Sequence, residues 1–253
     1  MELLANSRAG LTLPEIAAQL KLPKSSVHCL LVTLERRRYL HRIDYTGRYM
    51  FGSKLFSLGN MSLAGLPIRH VAAPHMHALT ERTGLTTHLA ILERNEAVLV
   101  EKVEPPGVCK LATWLGKRMD LHCTSLGKAL IANLAEEQLE HLLRQISLPR
   151  HNDNSIVSFR KLKEELARAR QAGYAIDDEE DEIGYRCIGA PILDQNGRAT
   201  AAISISGTTN EVREDNSAAQ AKHLIRAAEA ITKALGELGS DPARGLGTPG
   251  ARV

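Results

Sequence analysis

The sequence predicts an α+β chain in two parts: a small basic module of helices with one hairpin, then a larger domain of antiparallel strands and helices. Three observations carry this. Apolar residues recur at helical spacing from Ile16 to Leu34, then alternate on either side of Thr46-Gly47. Beyond Gly84, alternating stretches come in pairs around turn residues, with helical stretches between the pairs. Charge is lopsided, with eight Lys/Arg against four Asp/Glu in residues 1–52, and 24 against 25 in the remaining 201. A basic end on a near-neutral body points to nucleic acid binding at that end only.

The 253 residues, 43% hydrophobic and 24% charged, are an ordinary globular composition with room for two domains. No apolar run approaches the roughly 20 residues of a membrane span, and Met1–Asn6 lacks the blocks of a signal peptide. Cys29, Cys109, Cys123 and Cys187 are widely spaced, without a CxxC pair. That predicts free thiols in a reducing, cytoplasmic setting, with no metal, cofactor or disulfide framework.

Met1–Arg8 reads as the end of a helix closed by Ala9-Gly10. Thr12, Pro14 and Glu15 form a helix start, with Thr12 as N-cap and Glu15 three residues on, as in a capping box. Ile16, Ala17 and Leu20 supply the apolar stripe. After Lys21-Leu22-Pro23 a second helix puts Val27, Leu30, Leu31 and Leu34 on its apolar face. Lys24, Ser25, Ser26 and His28 form the other face, and Arg36, Arg37 and Arg38 the basic end. Two short helices joined by about three residues, the second presenting small polar groups, form a helix-turn-helix. Tyr39–Tyr45 and Arg48–Gly52 then make a hairpin. Its arginines, Arg42 and Arg48, suit phosphate, so residues 1–52 read as a winged helix-turn-helix. Base contacts are expected from Lys24, Ser25, Ser26 and His28, and phosphate contacts from Arg36, Arg37, Arg38, Arg42 and Arg48.

Residues 53–66 read as a linker helix, Ile68–Thr83 as a further helix, and 67–238 as the second domain. Strands are expected at Thr86–Leu92, Ala97–Val103 and Val108–Trp114. Cys123–Leu130 opens a helix, and Glu136–Gln145 and Ser158–Gln171 are two more, the last closed by Gly173. Tyr174–Asp177 is extended, Asp178–Glu182 a solvated acidic loop, and Cys187–Leu193 with Ala199–Ser206 the strongest hairpin. A long helix, Ala218–Leu238, precedes a Gly/Pro-rich tail, 239–253, expected to be disordered.

Gly173–Asp194 resembles the signature of the IclR family of bacterial transcriptional regulators. Gly173, Asp177, Glu180, Cys187, Ile188, Gly189, Ile192 and Asp194 fit it, whereas Leu193 stands where the family usually has an aromatic residue or histidine. The winged helix, the Leu121–Leu130 stretch and the Ala201–Gly207 strand look like the family's too, so the resemblance spans residues 1 to about 238. Members usually begin with a longer first helix than Met1–Arg8. The resemblance implies a homodimer or dimer of dimers on palindromic operator DNA, more often a repressor. It also implies a GAF-like antiparallel-sheet domain that senses a small organic acid. In the glyoxylate- and pyruvate-responsive subset the pocket segments match Thr124, Ser125 and Leu126, then Asp177, Cys187, and Ser204, Ile205 and Ser206.

The residues themselves leave several readings open. Thr124-Ser125-Leu126 at a helix N-terminus suits a carboxylate, yet Thr124 or Ser125 is also a plain N-cap. Ser204 and Ser206 point to one face of a strand, with Cys187 on the neighbouring strand, while Leu111, Trp114 and Met119 offer an apolar wall. Asp177 would repel a carboxylate directly but could accept from a hydroxyl. Cys187 is equally a buried apolar residue, and His88 and His122 core histidines. The alternatives are an enzyme using Cys187 or Cys123 with His122 as base, and a structural dimer with a vestigial pocket.

Overall fold

The computed structural model describes residues 1–7, 9–107 and 112–239. They divide into two compact units that meet between Leu66 and Pro67.

The first unit contains α1 (Glu2–Ala5), β1 (Leu11–Thr12), α2 (Leu13–Leu20), α3 (Lys24–Arg36), β2 (Leu40–Ile43), β3 (Arg48–Phe51) and α4 (Ser53–Ala64). α2 begins as expected. Thr12 Oγ1 accepts from the Glu15 amide while the Glu15 carboxylate accepts from the Thr12 amide, closing the capping box. The wing is a three-stranded sheet in the order β1-β3-β2, whose short first strand the sequence does not announce. Ile16, Ala17, Val27, Leu31, Leu40 and Tyr49 form its core with Leu4. α4 has no buried residue.

The second unit contains α5 (Pro67–Thr83), β4 (Thr86–Glu93), β5 (Glu96–Val103), β6 (Arg118–Met119), α6 (Ser125–Ala132), α7 (Glu136–Leu143), α8 (Phe159–Ala172), β7 (Ala175–Asp178), β8 (Tyr185–Leu193), β9 (Ala199–Thr208) and α9 (Glu214–Gly239). Among the described residues its six strands form one antiparallel sheet in the order β6-β5-β4-β9-β8-β7. α5 and α9 pack against the sheet and each other, while α6 covers β8 and β9, with α8 behind it. The apolar core on the α6 side runs from Leu126, Leu130 and Ile131 to Leu99, Ala202, Leu162 and Leu166.

Two sequence expectations change. Of the expected strand Val108–Trp114, residues 108–111 lie outside the described residues and 112–114 are not strand; the edge is instead the two-residue β6. Of the expected tail, residues 240–253 lie outside the described residues.

Candidate functional site

In the first unit, Val27 and Leu31 are buried and Leu34 half-buried, so the opposite side of α3 is left to solvent. That side carries Lys24, Ser25, Ser26 and His28, all exposed. Leu30, expected on the apolar face, is 54% exposed, because it lies at the margin of the 27-31-34 stripe. Arg36, Arg37 and Arg38 are exposed and line a shallow groove with Ser53, Lys54 and Ser57. Arg42 is also exposed, its guanidinium 6.0 Å from the centre of the Tyr49 ring. Arg48 differs from the other expected phosphate contacts. Its Nη1 donates to the Gly10 carbonyl at 2.7 Å and pairs with Glu15 at 3.2 Å, stitching β3 to α2. This engagement replaces the free cation the sequence suggested.

The second unit holds a cavity of about 60 Å³ on the α6 side of the sheet. Strand register explains its floor. Cys187 pairs with both Ser206 and Asp177, and Ser204 pairs with His88, so these five side chains share one face across β7, β8, β9 and β4. Thr124, Ser125 and Leu126 close the cavity from the start of α6. This closure requires glycine on the strand beneath: a Cβ at Gly189 would lie 2.5 Å from the Ser125 carbonyl oxygen and 3.1 Å from the Leu126 nitrogen. The first amides of α6 have no intrahelical acceptor and point toward the cavity end of the helix. Met119, Thr113, Lys117 and Tyr185 complete the rim with Ala112 and the acidic Asp181 and Glu182.

The polar groups are mutually held. His88 Nε2 lies 3.0 Å from Thr113 Oγ1 and its Nδ1 3.3 Å from Ser206 Oγ. Burial, aided by the charges of Lys102 and Lys117, brings His88 down to about 3, so its ring is neutral near pH 7. Asp177 Oδ1 accepts from the Glu180 amide at 2.9 Å. Burial pushes Asp177 up to about 7, with Lys128 opposing and Glu180 adding to the rise. A carboxyl that titrates near neutrality can donate as well as accept, which removes the objection that it must repel an acid. Behind it, Lys128 Nζ reaches Glu180 Oε1 at 2.5 Å with the lysine fully buried. Together these groups offer amide, hydroxyl and carboxyl donors around a small space, with one cation, Lys117, against the acidic Asp181 and Glu182, a set suited to a small oxygen-rich molecule met by hydrogen bonds more than by charge.

Thr124, Ser125, Leu126, Asp177, Cys187, Ser204 and Ser206 are brought together around this cavity. Ile205 does not: strand alternation turns it to the opposite face, beside Ile188, where it is fully buried. Thr124 also acts as the plain N-cap, accepting from the Gly127 amide at 3.1 Å and donating to the Asp120 carbonyl at 2.6 Å. Met119 is part of the wall, Trp114 is 63% exposed and off it, and Leu111 lies outside the described residues. The Asp178–Glu182 loop is not simply solvated, since Glu180 is buried on Lys128 and Asp181 faces the cavity. His88 reads from the sequence only as a core histidine and Lys117 carries no local signal, because strand pairing and loop path bring them to the site. The nucleophile alternative meets two obstacles. Burial pushes both the Cys123 and Cys187 thiols far up, and His122 Nε2 is 3.0 Å from the Pro149 carbonyl oxygen, to which that nitrogen is committed.

Two family models match the chain, the IclR helix-turn-helix domain over residues 1–44 and the C-terminal domain of the bacterial transcriptional regulator IclR over residues 60–233. The transcriptional repressor IclR of Escherichia coli is 32% identical over 238 residues, 93% of this chain and 87% of the relative. The HTH-type transcriptional regulator XynR of Escherichia coli is 34% identical over 236 residues, 93% and 94% of the two chains. Among solved structures, Thermotoga maritima IclR superposes with a TM-score of 0.76 at 33% identity, covering 93% of this chain and 95% of that one. An IclR homologue from Microbacterium hydrocarbonoxydans, complexed with 4-hydroxybenzoate, superposes at 0.78 and 27% identity, covering 92% and 95%. These relatives are regulators and repressors, not enzymes. The chain therefore belongs to the IclR family of DNA-binding bacterial transcriptional regulators.

Proposed function

We propose that this regulator is a repressor whose second unit senses a small organic acid of the glyoxylate or pyruvate type and so controls operator binding. The observation that carries the reading is the buried row of Ser204, Ser206, Cys187 and Asp177 facing the first turn of α6. Buried hydroxyls need partners, and a cavity lined by them beside free helix amides supplies a complementary shell for a carboxylate. A volume of about 60 Å³ holds about four to six waters, the size of a two- or three-carbon acid. The 4-hydroxybenzoate in the homologue extends the test to aromatic acids.

On DNA, the exposed Lys24, Ser25, Ser26 and His28 reach base edges from α3, while Arg36, Arg37, Arg38 and Arg42 contact phosphate. Arg48 acts instead by holding the wing to α2. The active species is a homodimer or dimer of dimers on a palindromic operator. Leu58 and Met61 on α4, 41% and 72% exposed and one turn apart, supply an apolar face for the second copy. Acid binding changes how the paired second units set α4, and with it the separation of the two α3 helices. By linkage, operator DNA must then alter acid affinity by the same factor.

A thermal-shift screen of glyoxylate, pyruvate, larger 2-oxo acids and 4-hydroxybenzoate on wild type and Ser204→Ala tests the sensor. One acid should raise the melting temperature of wild type and do so less in the variant. A vestigial pocket would leave every acid without effect. Operator affinity measured with and without the active acid tests the coupling, and identical values would sink it.

A further inference from the structure

Behind the wall that holds Thr124, the fold gathers three residues the sequence keeps apart. His122, Cys123 and His151 each offer one ligand atom, and these atoms lie within 4.8 Å of one another. His122 and Cys123 precede α6, whereas His151 comes from the segment between α7 and α8. Both rings are already oriented. His122 Nε2 is 3.0 Å from the Pro149 carbonyl oxygen, and His151 Nε2 is 2.8 Å from Asp120 Oδ2. Each acceptor holds a proton on Nε2 and leaves Nδ1 with its lone pair, the arrangement in which a metal-bound imidazole is fixed by a carbonyl or carboxylate behind it.

We propose that His122, Cys123 and His151 form a zinc-binding site. Two imidazoles and a thiolate are a borderline-soft set that suits Zn²⁺ in tetrahedral geometry, at about 2.0–2.1 Å for nitrogen and 2.3 Å for sulfur. Asp181 Oδ1 accepts from Cys123 Sγ at 4.0 Å but lies outside the three-atom cluster, so a water would complete the tetrahedron. Asp120, bonded to His151, and Asp181, beside Cys123 Sγ, place two carboxylates next to the cluster, which favours a dication there. Binding converts Cys123–SH to zinc-bound thiolate and releases that one proton to solvent, with no change of oxidation state.

The metal would tie the 149–152 segment to the residues that present Thr124, Ser125 and Leu126. Asn152 already donates to the Glu179 and Glu180 carbonyls, and Ser155 to Glu180, so the same segment holds the loop carrying Asp181. Occupancy would therefore stiffen two walls of the cavity.

The test uses the full chain, freed of metal by chelator, titrated with Co²⁺ and then Zn²⁺. One Co²⁺ per chain should bind, with a thiolate-to-cobalt charge-transfer band and the strong visible bands of tetrahedral cobalt, and Zn²⁺ should erase them. Cys123→Ser should abolish the charge-transfer band. His151→Ala, at an exposed position, should weaken binding at least about tenfold, and Asp120→Asn about 10- to 100-fold, the range for residues that orient a ligand. Circular dichroism checks that the variants fold. A band retained in Cys123→Ser, wild-type affinity in His151→Ala, or no charge-transfer band at all would overturn the site. No DNA or acid enters the measurement, so its failure is separate from failure of the sensing reading.

Discussion

Ser25 and Ser26 on α3, and Ser204 and Ser206 on β9, are the same chemistry in opposite surroundings. The first pair stands in water on the outer side of a helix; the second lies nearly sealed beneath α6. An exposed hydroxyl loses nothing while it waits for a partner, so the surface of α3 can remain unspecialised until DNA supplies one. A buried hydroxyl must be satisfied in the folded chain itself, which is why Ser206 meets His88 and why the cavity is crowded with mutually held polar groups. Solvent-facing surfaces and buried cavities thus fail differently when altered. Changes on α3 should spare stability and cost DNA binding, whereas changes around the cavity should cost stability as well.

Lys128→Met puts the most strain on that contrast. It leaves Glu180 without its cation in a site where both are buried, and should destabilise the chain by about 3–5 kcal/mol in urea unfolding. A loss no larger than that of a surface variant would break the distinction. Gly189→Ala should cost about 1–3 kcal/mol, because the new Cβ meets the Ser125 carbonyl at 2.5 Å and lifts α6 from the sheet. Any acid-induced thermal shift should fall with it.

On the DNA side, Arg36→Ala and Arg42→Ala should leave the melting curve within about 0.5 kcal/mol of wild type. Each should weaken binding to all sequences alike and lower the salt slope by roughly 0.9. Lys24→Ala should instead cost about 1–3 kcal/mol on the operator and little on unrelated duplex. An unchanged slope would remove that arginine from the interface.

Asp177 gives the comparison a pH axis. Its carboxyl titrates near 7 in the folded chain against an ordinary value of 3.8. The unfolded chain therefore loses this proton first, and the contribution to stability falls as pH rises from about 4 towards 7, then levels off. Asp177→Asn should flatten that fall and spare the bond from the Glu180 amide. A profile identical to wild type would show the carboxyl to be ionised throughout. Thr12→Ala should cost about 1 kcal/mol of stability from loss of the α2 cap, less than either change at the cavity.

The elements were legible where one local pattern decides them. The capping box at Thr12–Glu15, the two helices around Pro23, and the β8–β9 hairpin at Asp194–Gly197 all follow from residues within a few positions of one another. The two-residue strands β1 and β6 were not, because so short a strand exists only where a neighbour pairs with it. Ile205 shows the same limit inside the site. The resemblance to the acid-responsive subset placed it with Ser204 and Ser206, and the pleat put it on the other face.

The sequence by itself determined the two-part plan, the basic reading helix and the presence of hydroxyls and a cysteine on the core hairpin. These rest on periodicity, caps and charge, which act over one or two turns of chain. Only the tertiary structure decided which groups meet. Pairing across the sheet brought His88 to Ser206, the approach of α6 over Gly189 closed the cavity, and the path of the chain after α7 carried His151 to His122 and Cys123. Burial then changed the chemistry of what met, raising Asp177, neutralising His88 and committing Lys128 to Glu180, because the energy of a charge depends on solvent and neighbours that no local pattern contains.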